Sequence, residues 1–222
     1  MTFRAQAKKW PDMVRSHVKV VIVLIHSAIE GLLETIFVDK RMREELWQTA
    51  LLDQLLEAYR RALDHAQFLI DIELNGRPNT VNHYFNDNLQ KARMNRITER
   101  MSVAFPQLEH EEFVIAKSTL QTLATNKSNA DQVKEDIHDI LKSYYKVSRK
   151  RFVDVICRQV IEHYLLDGSV SPLKVLTPEL VTKMNDNTLE MIAGEEVATK
   201  RERARLKNEI RGLQDAMKVL RG

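Results

Sequence analysis

Seven histidines and a single cysteine are the residues of this chain that could hold a metal or carry a covalent step, and their spacing speaks against both. His110-Glu111-Glu112-Phe113-Val114 begins like the helix that binds zinc in many proteases, where a second histidine one turn further on completes the ligand pair. Val114 occupies that second position, so no metal site is expected. His138, flanked by Asp136 and Asp139, has no identifiable nucleophile or oxyanion donor beside it and reads as a surface or capping contact. Cys157 stands alone, which excludes an internal disulfide framework and suits the reducing cytosol. With no base or electropositive pocket in view, it reads as a small apolar residue in a packed helix.

Phosphate chemistry is the other possibility. A nucleotide site would need a glycine-rich loop of backbone N–H groups, followed by Lys and Ser or Thr for the phosphates and Mg²⁺. The glycines, Gly31, Gly76, Gly168, Gly194, Gly212 and Gly222, include no pair at the required spacing. No cofactor is therefore expected in this chain, and no catalysis by the chain alone. Lys142, Lys146, Arg149, Lys150, Arg151 and Arg158 form a basic run, of which Lys146, Arg149 and Lys150 are the candidates for phosphate on a lipid surface. Asp154 and Glu162 balance it, so the plainer reading is a solvated helix face. Tyr144 and Tyr145 alone do not make a base-stacking platform, and nucleic acid is not an expected partner. The net charge of +3, from 34 basic and 31 acidic residues, points to no polyanion either.

The elements that carry these residues are helices. Among 222 residues there are only six glycines and five prolines, and 29% are charged, a balance that suits long helices with polar outer faces. Val14, Val18, Val21, Ile22, Ile25, Ile29, Leu32, Leu33 and Ile36 recur at helical spacing up to about Asp39, with Pro11 kinking a helix that begins near Phe3. A second helix is predicted from Lys40 to Asn75, burying Leu46, Ala50, Leu55, Ala58, Ala62, Leu69 and Ile72. Asn75-Gly76-Arg77-Pro78 stops it. A third of similar length runs from Asn129 to Leu166, so antiparallel packing in an elongated bundle is expected. Residues 76–130 read as a loosely attached excursion, helical in part over Thr80–Met101 and Glu109–Thr125. Thr177 caps a helix with Pro178 at its first position, Asp186 caps another through Ile192, and Gly194 ends it. No segment has the length of a membrane span, and Met1-Thr2-Phe3-Arg4 lacks an apolar signal core.

Two features suggest partners. From Arg151 to Leu165 the polar stripe of Arg151, Asp154, Arg158 and Glu162 is narrow and the apolar arc is broad. Phe152, Ile156, Val160 and Tyr164 on that arc are the candidate assembly interface, covered by helices of the chain on one side and by a second subunit on the other. Lys200-Arg201-Glu202-Arg203-Ala204-Arg205 opens the last helix with alternating signs, and Leu206, Ile210, Leu213, Met217 and Leu220 come next as a heptad seam that requires a partner helix.

The stretch Asp136 to Leu166, then Ser171-Pro172-Leu173-Lys174-Val175, Leu189-Glu190-Met191-Ile192-Ala193-Gly194-Glu195 and the basic terminal helix, resembles the GTPase effector domain that ends dynamin-like GTPases. The likeness is closest to fungal members of the Mx-like branch, which share a block like His83-Tyr84-Phe85-Asn86-Asp87-Asn88-Leu89-Gln90-Lys91. The resemblance implies an all-α stalk with four parts. Residues 1–75 would be stalk helices, 76–130 a tip insert, 131–193 the stalk part of the effector domain, and 194–222 a helix of the element that joins stalk to G domain. It implies self-association, a dynamin-like G domain with flanking helices as partner for the Leu206–Leu220 seam, GTP and Mg²⁺ held by that G domain, and a cytoplasmic protein peripheral on membranes. Its function would be to drive assembly and couple it to GTP hydrolysis in membrane remodelling. A stand-alone helical scaffold that binds membrane or protein is the competing reading.

Overall fold

The computed structural model describes residues 2–104 and 128–221, and every regular element among them is helical. The all-α class reflects the scarcity of breakers and the apolar periodicity. Thr2 caps α1 (Phe3–Ala7), a turn at Lys8-Lys9 comes next, and α2 runs Trp10–Ile36. The expected kink is thus a break just ahead of Pro11, which sits in the first turn of α2 where its missing N–H costs no bond. Val18, Ile25, Ile29 and Leu33 form the buried stripe of α2, while Leu32 and Ile36 point to solvent.

Lys40 to Asn75 is helical throughout but not uniformly α. Asp39 caps α3 (Lys40–Leu46) by accepting from the N–H of Arg41 at 2.8 Å and of Met42 at 3.3 Å. A π turn, Trp47–Leu51, then leads into α4 (Leu52–Asn75). The turn is closed by the Leu52 N–H donating to the Trp47 carbonyl five residues back. Leu46 and Leu51 are both buried, a spacing of five that an α-helix would place well round the cylinder and that the π turn aligns. Leu55, Ala58, Ala62 and Leu69 are buried as expected. Ala50 is half-buried and Ile72 exposed, contrary to expectation, while Leu51, Ala66 and Ile70 lie in the core.

Further along are α5 (Tyr84–Ala104), α6 (Asn129–Val155), a π segment Ile156–Asp167 and a 3₁₀ turn Pro172–Lys174. The chain continues through α7 (Pro178–Lys183), α8 (Asp186–Ala193) and α9 (Val197–Arg221). Thr177 occupies the cap position before Pro178 as read from sequence but makes no side-chain capping bond, and α8 is capped by Asn185, not Asp186, through a 2.7 Å bond from the Thr188 N–H. The expected helix at Glu109–Thr125 lies outside the described residues, and so do His110 to Val114.

The chain divides into two compact units. The first comprises Met1–Val20 and Ala62–His163. Its α4 runs antiparallel both to the N-terminal helices and to α6: Arg4 and Arg15 of the N-terminal segment meet Asn75 and Gln67 of α4, and Glu73 and His65 of α4 meet Arg151 and Gln159. Phe3, Trp10, Tyr144, Tyr145 and Phe152 form its aromatic core, with Trp10 stacked on Phe152 at 5.3 Å between ring centroids. The Trp10 indole N–H donates to Tyr145 at 3.2 Å, so the buried ring keeps a polar partner.

The segment predicted to be loosely attached behaves differently over α5. Leu89 is buried, and three cationic contacts hold the helix to α6: Arg96 to Asp136 at 2.8 Å and to Glu135 at 3.3 Å, and Arg100 to Glu135. Asp139 Oδ2 is 3.2 Å from Arg96 Nη2, but without the alignment of a hydrogen bond. Charge rather than apolar periodicity fixes this helix, which is why its sequence looked weak. The hydrogen bond from Arg96, reinforced by the charges of Arg96, Arg93 and Arg100, holds the Asp136 carboxyl below its usual 3.8. A carboxylate depressed in the folded state stabilises fully above its unfolded pKa and loses that contribution as pH falls through the folded value. Protection of the Tyr84–Ala104 amides, relative to their intrinsic exchange rates, is therefore expected to fall as pH drops below 3.8 and to do so less in Arg96→Ala. Equal acid sensitivity in the two proteins would refute the role given to this pair.

The second unit comprises Val21–Arg61 and Tyr164–Gly222. His26 meets Trp47 edge-on at 5.1 Å and lies 3.4 Å from the Tyr59 hydroxyl, whose pKa burial, aided by the Glu30 charge, pushes up to about 12. Ser171 is fully buried and donates to the carbonyls of Leu165 and Leu166 at 3.0 and 2.9 Å. Its oxygen also accepts from the Leu173 N–H, so one hydroxyl ends the π segment and starts the 3₁₀ turn.

Candidate interaction surfaces

The four residues expected at an assembly interface are placed mainly in the interior. Phe152, Ile156 and Val160 are 5%, 4% and 0% exposed, and Tyr164 is half-buried. Phe152 is covered by Trp10 of the same chain. An apolar arc legible in sequence as shared with a second subunit is thus occupied by the chain's own helices at three of its four named positions. The exposed apolar residues beside them are Val153 and Leu166. Cys157 is also exposed, not packed as its sequence context suggested, because the buried line of this helix passes through Ile156.

Of the basic trio, Lys146 donates to the Asn88 side chain at 2.9 Å, while Arg149 and Lys150 are exposed with no ion-pair partner among the described residues. Arg151 faces elsewhere and ties Glu73 to α6. His138 is solvent-exposed, 3.8 Å from Asp139. Among the described residues no group of three His, Cys, Asp or Glu side chains is placed to hold a metal, and no helix is long and apolar enough to cross a membrane.

A cleft of about 390 Å³ in the second unit is lined by Asp53, Glu57, Arg61, Ser171, Lys174 and Val175, among others. Three of its four charged lining side chains, Glu57, Arg61 and Lys174, are engaged in ion pairs. Hydrogen bonds from Arg60 and Arg61 hold the Glu57 carboxyl at about 2, and Lys174 bonds to Asp167. Such an arrangement braces a surface.

The most unusual surface belongs to α9. Residues 197–220 are exposed on every side, including Leu206, Ile210, Leu213, Met217 and Leu220, with Leu213 at 67% and Leu220 at 86%. A helix that shows its whole apolar stripe to water gains no tertiary burial, which is what usually stabilises a helix of this kind. Its start, in contrast, is well anchored. Arg41 donates to the Gly194 carbonyl at 2.6 Å and to that of Met191 at 3.4 Å, and Ile192 is buried. Lys200 pairs with Glu190, and Arg203 with Glu195 at 2.7 Å. At Gly194 a side chain would collide with the Glu190 carbonyl, so the turn into α9 needs glycine for space rather than for backbone freedom. Arg41 was missed by sequence reasoning, since nothing in its neighbourhood signals a partner more than 150 residues away.

Residues 128–222, from the cap of α6 to the end of α9, match the family model of the dynamin GTPase effector domain. No curated protein and no solved structure matches the chain.

Proposed function

We propose that the chain is an effector segment of the dynamin type, which self-assembles and acts on a dynamin-type GTPase domain to stimulate GTP hydrolysis in membrane remodelling. The observation that carries this reading is the open seam of α9, held out from an anchored junction within the region that matches the effector-domain family. A helix bearing its own apolar stripe covers that seam when the GTPase domain is present. GTP and Mg²⁺ belong to that domain, and the fungal Mx-like branch is the relative we assign. Arg149 and Lys150, exposed and without ion-pair partners among the described residues, supply a contact for anionic lipid at a cytoplasmic membrane surface.

The test is to add the chain to a dynamin-type GTPase domain that keeps its flanking helices but lacks its own effector segment. Saturable binding, faster GTP turnover and slowed amide exchange across Leu206–Leu220 are expected, with no binding of GTP to the chain alone. Leu213→Asp should abolish all three effects. Failure to bind would leave the scaffold reading in its place.

A further inference from the structure

The flanks of the α9 seam carry an ordered charge pattern. Steps of 4, 3, 4 and 3 between Leu206, Ile210, Leu213, Met217 and Leu220 put the leucines at d positions and Ile210 and Met217 at a positions of a heptad. The e positions next to the d residues are then Lys200, Lys207, Gln214 and Arg221, while the g positions preceding the a residues are Glu202, Glu209 and Ala216. One flank is basic or neutral and the other acidic or neutral. In a parallel pair each g residue faces the e residue five further along the partner, whereas in an antiparallel pair e faces e and g faces g. Two copies of α9 set parallel and in register therefore bring Glu202 to Lys207, and set antiparallel they oppose like charges on both flanks. Ile at an a position with Leu at d is also the combination that favours two strands.

From this we infer that, in the chain on its own, α9 pairs with α9 of a second copy as a short parallel coiled coil from about Glu202 to Leu220. Lys207 has no ion-pair partner among the described residues, and Glu202 is engaged only by Arg205 of the same helix, at 2.7 Å, leaving its second oxygen for the partner. Asn208 and Gly212 fall on the outer side, where a side chain at Gly212 would meet open space. The inference goes beyond the effector reading. It makes the covered seam a state that a GTPase-domain helix must displace.

Sedimentation of the full chain tests it. A concentration-dependent dimer is expected, lost in Leu213→Asp. Lys207→Glu, which sets Glu against Glu202, should raise the dimer dissociation constant by about tenfold, since the like-charge contact occurs twice. The swap Glu202→Lys with Lys207→Glu should restore it. Orientation is read in a Cys157→Ser background: Leu206→Cys and Leu220→Cys should each cross-link to their own copy and not to one another when the two proteins are mixed. A monomer at all concentrations, a dimer indifferent to Leu213→Asp, or cross-links only between positions 206 and 220 would overturn the inference. None of these outcomes bears on whether a GTPase domain binds, so the action proposed on that domain stands or falls separately.

Discussion

Phe152→Ala is expected to lower the unfolding free energy by about 4 kcal/mol, the cost typical of removing a buried aromatic ring and leaving a cavity. The ring is 5% exposed and stacked on Trp10, itself buried and bonded to Tyr145, so the surrounding side chains are held on several sides and collapse poorly into the gap. Denaturant titration measures the loss, and sedimentation should find the oligomeric state unchanged, because the chain itself covers this ring. A loss under about 1 kcal/mol accompanied by a shift toward monomer would place Phe152 at an interface instead.

The second large effect lies where α4 ends. Glu73, with a side chain only 10% exposed, accepts from both Arg151 Nη2 contacts at 2.9 and 3.0 Å and from Ser148, while Arg151 Nη1 reaches the Asn79 carbonyl at 3.2 Å. Arg151→Ala strands the carboxylate in a place water scarcely reaches, at a cost of about 2 to 3 kcal/mol once the partial exposure of the guanidinium is allowed for. Glu73→Gln should cost less, because Arg151, at 41% exposed, can turn back to solvent. Arg151→Lys should recover only part, since a lone ammonium can meet the Glu73 carboxylate as Nη2 does but cannot at the same time supply the Nη1 contact to the Asn79 carbonyl. Equal costs for Arg151→Ala and Glu73→Gln would show that the buried carboxylate is not the group that matters.

The all-α class was legible because apolar residues recur at three and four over long runs with few breakers, and the α9 seam because its spacing is nearly ideal. Less legible was anything held by charge. The α5 helix shows little periodicity because Arg96 and Arg100 fasten it to acids 35 to 43 residues away, and Glu73–Arg151 is likewise a pair that no local pattern announces. The apolar arc at Phe152, Ile156 and Val160 was visible, but a sequence cannot distinguish a stripe covered by its own chain from one covered by another.

The π turn at Trp47–Leu51 has a consequence for length. In an ordinary α-helix, deleting one residue rotates everything downstream by about 100° and carries a buried stripe out of the core. Here the chain holds one residue more than an α-helix needs between Leu46 and Leu51. Losing an exposed residue such as Gln48 would bring those leucines to a spacing of four and leave Leu55, Ala58 and Tyr59 facing as they do now. The helix thus carries its own expansion joint, a site where one codon can be lost without unthreading the packing on either side.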